Sequence, residues 1–312
     1  MKRIHLPQSD LLVSQAIFGT SRLGGTIERY DKKEAIAVLQ AAADGGINCF
    51  DTADIYGQGN GERLLSEALS KRRDEIIIAT KGGYVLSGKG LLLAKIKPFV
   101  RRFLKGRPAL VKAAGRARGS QMRQNFSRQH LTSAINASLK RLRTDRIDLY
   151  QLHSPDISTL VDGEVFGILG DLKAAGKIRA YGASLLQWED AAYCFGQGLS
   201  WIQVDGGILA GKPAAGFCQE CHDAGIAVIA RQAFGSGLLS RDPDSWTAEE
   251  FGGNLEAMAA ARERSLQLRQ AGDPFSALLH QLAHKSPFDG FLISTTRLTH
   301  LRANLAAISS AP

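Results

Sequence analysis

The chain has 312 residues, 44% hydrophobic and 22% charged, with a formal net charge of +9 and four cysteines. That length is long for one domain but within reach of an α/β barrel, and four cysteines in so long a chain do not suggest a disulfide framework, so a reducing cytoplasm is the expected compartment. No run approaches the roughly 20 apolar residues that span a bilayer, and Met1 to Asp10 has basic residues but no long apolar stretch behind them, which makes a poor signal peptide.

Short apolar runs alternate with helical patterns along the chain. Strands are predicted at 15–19, 47–50 and 75–80, separated by helices at 33–45 and 61–71. After a long connection the alternation resumes: helix 129–142, strand 147–152, helix 159–175, strand 178–183 and helix 187–195. It continues with strand 201–204, helix 214–224, strand 226–230, helix 274–285, strand 289–293 and helix 298–308. The strands are short and nearly all apolar, which suits a parallel sheet buried on both faces. Glycines at Gly45–Gly46, Gly176 and Gly225 stand just after a helix and before a strand, where the chain tends to turn left-handed. Eight such units predict a closed (β/α)8 TIM barrel, an α/β fold occupying 1–312 as a single domain.

The rival architecture, an open doubly wound sheet, would carry a Gly-rich turn after the first strand and an acid about 20 residues on. The stretch Gly19-Thr20-Ser21-Arg22-Leu23-Gly24-Gly25 does not fit that pattern. Gly57-Gln58-Gly59-Asn60-Gly61 follows the second strand and reads as a turn that starts a helix. Cys218-Gln219-Glu220-Cys221-His222 has haem-attachment spacing. Without an export signal it reads instead as two small apolar residues one helical turn apart, on or near a buried face, and no metal site is assigned.

The chemistry concentrates at strand ends. Phe50-Asp51-Thr52-Ala53-Asp54-Ile55-Tyr56-Gly57 puts an acid and a phenol five residues apart after the second strand. Lys81 follows the third strand and His153 the fourth. In a barrel these ends converge on one mouth. A free tyrosine, with a pKa of about 10, is a poor acid at neutral pH; a nearby ammonium lowers that value. Asp51 would pair with Lys81 and fix it, His153 would hydrogen-bond the substrate oxygen, and Tyr56 would give its proton to a carbonyl as a nicotinamide supplies hydride.

These motifs resemble the aldo-keto reductases over nearly the whole chain. Phe50 to Gly57 is similar to that family's first signature, and Leu139-Lys140-Arg141-Leu142-Arg143-Thr144-Asp145-Arg146-Ile147-Asp148-Leu149-Tyr150-Gln151-Leu152-His153 is similar to its second. The resemblance implies a catalytic tetrad of Asp51, Tyr56, Lys81 and His153, with a nicotinamide dinucleotide bound without a Rossmann domain. It implies cofactor contacts from Gly19 and Thr20, and from Ser184 and Gln203 at the nicotinamide carboxamide; Leu185 stands where the family often has asparagine. Arg231 stands where many relatives stack an aromatic residue. Phe234, Gly235, Ser236, Gly237 and Leu238 resemble the pyrophosphate loop. Thr295, Arg297, Arg302 and Asn304 resemble the adenosine 2′-phosphate segment, so NADPH is expected, with NADH as the alternative.

One loop holds the excess charge. Residues 82–128 contain 12 Lys or Arg and no acid; the remainder has 27 basic residues against 30 acidic ones, a formal −3. The segment 84–126 is therefore read as a basic insertion in the connection after the third strand. Leu92, Ile96, Phe99 and Phe103 fall at helical spacing within it. Three roles are open: a solvated lid, a grip on an anionic or carbohydrate-like substrate, and peripheral membrane contact through 88–118. Nucleic acid is not the expected partner, since no recognisable binding module is present. The leading expectation is a reductase interconverting a small-molecule carbonyl and an alcohol. The alternatives are a cofactor-sensing regulatory subunit on the same barrel, and a membrane- or polyanion-associated protein.

Overall fold

A computed structural model describes residues 1–23, 31–86, 122–207 and 216–310. The expectations for the basic insertion (84–126, 88–118 and its apolar stripe) rest mainly on 87–121, which lie outside the described residues.

Eight parallel strands close into a barrel. They are β3 (Ala16–Gly19), β4 (Cys49–Asp51), β5 (Ile77–Gly82), β8 (Ile147–His153), β9 (Ile178–Ser184), β10 (Trp201–Asp205), β11 (Ala227–Arg231) and β12 (Gly290–Ile293), in that order around the ring. The (β/α)8 reading is thus correct. The helices are α1 (Lys32–Asp44), α2 (Asn60–Leu69), α3 (Arg128–Leu142), α4 (Ile157–Asp162), α5 (Glu164–Ala174), α6 (Phe217–Asp223), α7 (Leu255–Gln270), α8 (Pro274–His284) and α9 (Leu298–Ser309). Local sequence explains many of their starts. The Asp31, Ser127, Asp156, Asn254 and Asp273 side chains each accept a backbone N–H of the first turn, a cap worth about 1 kcal/mol.

Two hydrophobic layers result. One lies between the strands and the helices, built from residues such as Phe18, Phe50, Ile78, Tyr150 and Ile202. The other fills the barrel: Ile17, Cys49, Ile77, Ala79, Leu149, Ala180, Trp201, Ala227 and Ile229. Leu6, Leu11 and Val13 join this inner layer from a hairpin of β1 (Arg3–His5) and β2 (Leu12–Ser14), ahead of β3. Because side chains alternate along a strand, the inner residues also fix which later residues point inward. Cys49 is followed at the same parity by Asp51, Ala79 by Lys81, Leu149 by Gln151 and His153, Ala180 by Ser184, Trp201 by Gln203 and Asp205, and Ile229 by Arg231.

Several elements differ from the sequence expectation. The helix expected over 159–175 is two helices broken at Gly163, whose φ of +74° is left-handed. The helix expected over 187–195 is a 3-10 turn, Glu189–Cys194. Helix α7 and the β1–β2 hairpin were not anticipated; α7 buries only Ala261 and Ser265, too thin a stripe to leave an apolar period. Two short strands pair antiparallel: β6 (Tyr84–Leu86), which directly follows β5, and β7 (Met122–Gln124), which precedes α3. Cys221 is fully buried and Cys218 packs against the same core, as small apolar residues do, and burial pushes both thiols up, to about 12 and about 11. Among the described residues, no helix is long and apolar enough to cross a membrane.

Candidate active site

Strand register brings the polar strand ends level. Gly19 pairs with Asp51, Lys81 with Gln151, His153 with Ser184, Ser184 with Gln203, and Asp205 with Arg231. All these residues lie at the C-terminal ends of parallel strands, where barrel loops build sites.

At the centre is a buried ion pair. Lys81 Nζ donates to Asp51 Oδ1, with both side chains about 2% exposed. Lys81 Nζ also donates to the Thr52 carbonyl at 3.1 Å. The other carboxylate oxygen, Asp51 Oδ2, accepts Gln151 Nε2 at 3.0 Å and Gln203 Nε2 at 2.7 Å. Beneath them Trp201 Nε1 donates to Gln151 Oε1 at 2.9 Å. A buried charge needs this degree of satisfaction, since an unpaired one costs several kcal/mol.

Tyr56 stands above the pair, on the turn between β4 and α2. Its ring centroid is 5.5 Å from Lys81 Nζ, and its ring meets that of His153 edge-on at 5.8 Å. Tyr84 of β6 also packs edge-on against His153 at 5.0 Å. The four residues proposed as a tetrad are therefore gathered in one place.

The electrostatics differ from the expectation. Burial drives the Tyr56 phenol above its ordinary pKa and Asp51 adds to the rise; Lys81 and Arg231 oppose it without reversing it. The expected net lowering by Lys81 is thus outweighed by desolvation. Burial, followed by Lys81 and Arg231, lowers His153 to about 3, so the imidazole is neutral at physiological pH. Its Nδ1 is buried without a hydrogen-bond partner among the described residues.

The residues that the resemblance assigns to a cofactor lie at or after the C-terminal ends of several barrel strands. Ser184 ends β9 and is nearly buried. Thr20 follows β3; its amide donates to the Asp51 carbonyl at 2.8 Å, and its hydroxyl is buried without a partner among the described residues. Arg231 donates through Nη2 to the Leu185 carbonyl at 2.7 Å and faces Asp205 at 3.2 Å. Phe234 packs against Phe275 of α8 at 5.2 Å, and the 3-10 turn Gly235–Ser240 follows it, carrying Ser236, Gly237 and Leu238. After β12, the Thr295 hydroxyl accepts the Arg297 amide at 3.2 Å. Arg297 is the N-cap of α9 and makes no side-chain cap there. Arg302 lies exposed on α9, and Asn304 is nearly buried.

Sequence reading missed Gln151, Trp201, Asp205 and Tyr84 as parts of this site. The first three carry a legible signal: each is a polar or aromatic residue at the inward parity of an otherwise apolar strand. Tyr84 carried none, because its position depends on the β6–β7 pairing.

A closed parallel barrel thus gathers a carboxylate, an ammonium, a phenol and a neutral imidazole at one mouth. Residues 16–311 match the model of the aldo/keto reductase family, and the chain belongs to that family. It is 27% identical to the uncharacterized oxidoreductase YqkF of Bacillus subtilis (strain 168), over 99% of this chain and 92% of that protein. It is 30% identical to the NADH-specific methylglyoxal reductase of Escherichia coli (strain K12), over 77% of this chain and 69% of that protein. Among solved structures it resembles the aldo-keto reductase AKR11C1 from Bacillus halodurans in its holo form. There the TM-score is 0.74 and the identity 26%, with 100% of this chain and 92% of the other covered.

Proposed function

We propose that this protein reduces an aldehyde or ketone to an alcohol, or runs the reverse reaction, with Tyr56 as the general acid and base. The observation that carries the reading is the Tyr56 ring beside Lys81 Nζ and His153 at a single strand-end mouth. Tyr56 holds a proton for the carbonyl oxygen. Neutral His153 keeps one N–H, which donates a hydrogen bond to that oxygen and so orients it; in the reverse direction its unprotonated nitrogen can accept from the alcohol. Lys81, held by Asp51, stabilises the phenolate left after transfer. A nicotinamide dinucleotide, when bound, supplies or accepts the hydride.

The rim fits such a cofactor. The Thr20 hydroxyl, the Ser294 hydroxyl and Arg231 Nε are buried polar atoms without hydrogen-bond partners among the described residues. The first turn of α9 carries no side-chain cap, and free amides at a helix start favour phosphate. Ser184, Thr20 and Arg231 would hold the nicotinamide end, the turn after Phe234 the pyrophosphate, and Thr295, Arg297, Arg302 and Asn304 the adenosine end. Arginine forks there favour NADPH. The NADH-specific relative makes NADH the competing outcome. The substrate is a small carbonyl compound, and an anionic or sugar-like one is the version to test first.

The test is a panel of aldehydes, ketones, sugars and phosphorylated carbonyls with each cofactor. Reduction should proceed with NADPH at a higher kcat/KM than with NADH. It should fall by about 10²–10⁴-fold in Tyr56→Phe, the usual size of a lost general acid, while cofactor affinity holds. Tight cofactor binding without turnover across the panel would point instead to a cofactor-sensing subunit.

A further inference from the structure

We propose that Gln151 and Gln203 are positioning residues for the proton-donating phenol: their two amides hold one oxygen of Asp51 and thereby set how much of the Lys81 charge reaches Tyr56. The inference rests on the reading of Tyr56 as the acid. It adds two residues to which that reading gives no such role: Gln151, and Gln203 through its Nε2.

The geometry is specific. Asp51 Oδ1 is taken by Lys81 and Oδ2 by both amides. Gln151 can present its NH2 to Asp51 only if its carbonyl oxygen faces elsewhere. Trp201 fixes that choice, because an indole N–H can only donate and here donates to Gln151 Oε1. The orientation of Gln151 is therefore determined by its neighbours rather than chosen freely. Each contact crosses between strands: Asp51 from β4, Lys81 from β5, Gln151 from β8, and Trp201 and Gln203 from β10.

The consequence is electrostatic. Lys81 draws the phenol toward ionisation and Asp51 pushes it back. Two neutral donors on Asp51 spread its charge over a hydrogen-bonded network, which weakens the push without weakening the pull. Loss of either amide concentrates the carboxylate charge toward Lys81 and Tyr56. The other groups facing Tyr56 are Arg231 from β11 and His153 from β8, the latter neutral. Cys49, on β4 with Asp51, is a buried thiol held protonated.

The experiment compares Gln151→Met, Gln203→Leu and the milder Trp201→Phe, which keeps both amides but releases the orientation of Gln151. Three quantities are measured: thermal unfolding, cofactor Kd by fluorescence titration, and the apparent pKa of Tyr56. That pKa is read from the basic limb of kcat for reduction, and independently from ultraviolet difference titration against Tyr56→Phe, which needs no turnover. The first two variants should raise it by roughly half a unit or more, and Gln151→Met should hold cofactor Kd within about threefold. Trp201→Phe should shift it in the same direction. Folded variants that lose kcat with the phenol's pKa unmoved would make the amides scaffold only. Loss of cofactor affinity in Gln203→Leu with an unmoved pKa would return Gln203 to the carboxamide. A wild-type protein without turnover would defeat the reductase reading and still leave the ultraviolet titration to decide this one.

Discussion

At single residues, desolvation competes with charge, and at Tyr56 it prevails. The phenol stays protonated through neutral pH, the form that the proposed role as proton donor needs. Reduction should be independent of Tyr56 ionisation between pH 6 and 8. It should fall only as pH rises through a value above the ordinary tyrosine pKa of about 10; a basic limb near neutrality would contradict this. His153, lowered to about 3, should show no imidazole titration between pH 5 and 8 when its ring carbons are followed by NMR. Asp54 lies on the other side of the motif, with Oδ1 buried and without a partner among the described residues. Burial, followed by Glu62, raises it to about 7, against Arg141. Its folded pKa exceeds its unfolded one, so between about pH 4 and 7 the unfolded chain releases a proton that the native state keeps. Stability from this group is complete below that window and lost across it as pH rises. Urea midpoints at pH 4.5 and 7.5 should therefore differ less in Asp54→Asn than in the wild type. The residues Asp51, Tyr56, Lys81 and His153 were legible because their motifs are local. The net direction at Tyr56 was not, because burial is set by parts of the chain distant in sequence.

At the scale of elements, two-residue periodicity explains both what was readable and what was lost. In β8, Leu149, Gln151 and His153 face inward, while Asp148 and Tyr150 face the helices. Asp148 accepts the Ile78 amide at 2.9 Å and pairs with Arg73 and Arg179 at 2.8 and 2.9 Å, tying β5, β8 and β9 together. Tyr150 demands a glycine on the neighbouring strand, for a Cβ at Gly82 would lie 2.0 Å from its hydroxyl oxygen. Gly82→Ala should destabilise the protein by about 1–3 kcal/mol, a typical overpacking cost. Adding Tyr150→Phe should recover much of that loss, because the Tyr150 hydroxyl has no partner among the described residues. A double variant no more stable than Gly82→Ala alone would show that the strain lies in the strand backbone. The two-helix break at Gly163 and the 3-10 turn at 189–194 escaped the sequence reading for a simple reason. Both keep an apolar face compatible with a continuous helix, and the backbone departs only locally.

At the scale of the whole molecule, the barrel converts eight separate strand ends into one rim. A cofactor lying along that rim would touch residues from β3, β9, β11 and β12, so binding should stabilise the entire fold rather than one loop. NADPH at 100 times its Kd should add about 2.7 kcal/mol. The matched NADH melt should show a smaller rise at equal concentration, and equal rises would remove the argument for a 2′-phosphate site at Arg297 and Arg302.

The sequence by itself determined the alternation of strands and helices and the four chemical groups at the strand ends, since these depend on near neighbours in the chain. Tertiary structure decided the rest. The Asp51 carboxylate meets amides 100 and 152 residues away, the Trp201 indole fixes which way one of them faces, and the closed barrel removes the water that would otherwise have let Lys81 alone set the acidity of Tyr56. Distances through space and exclusion of solvent are properties of the packed chain, and no local pattern encodes them.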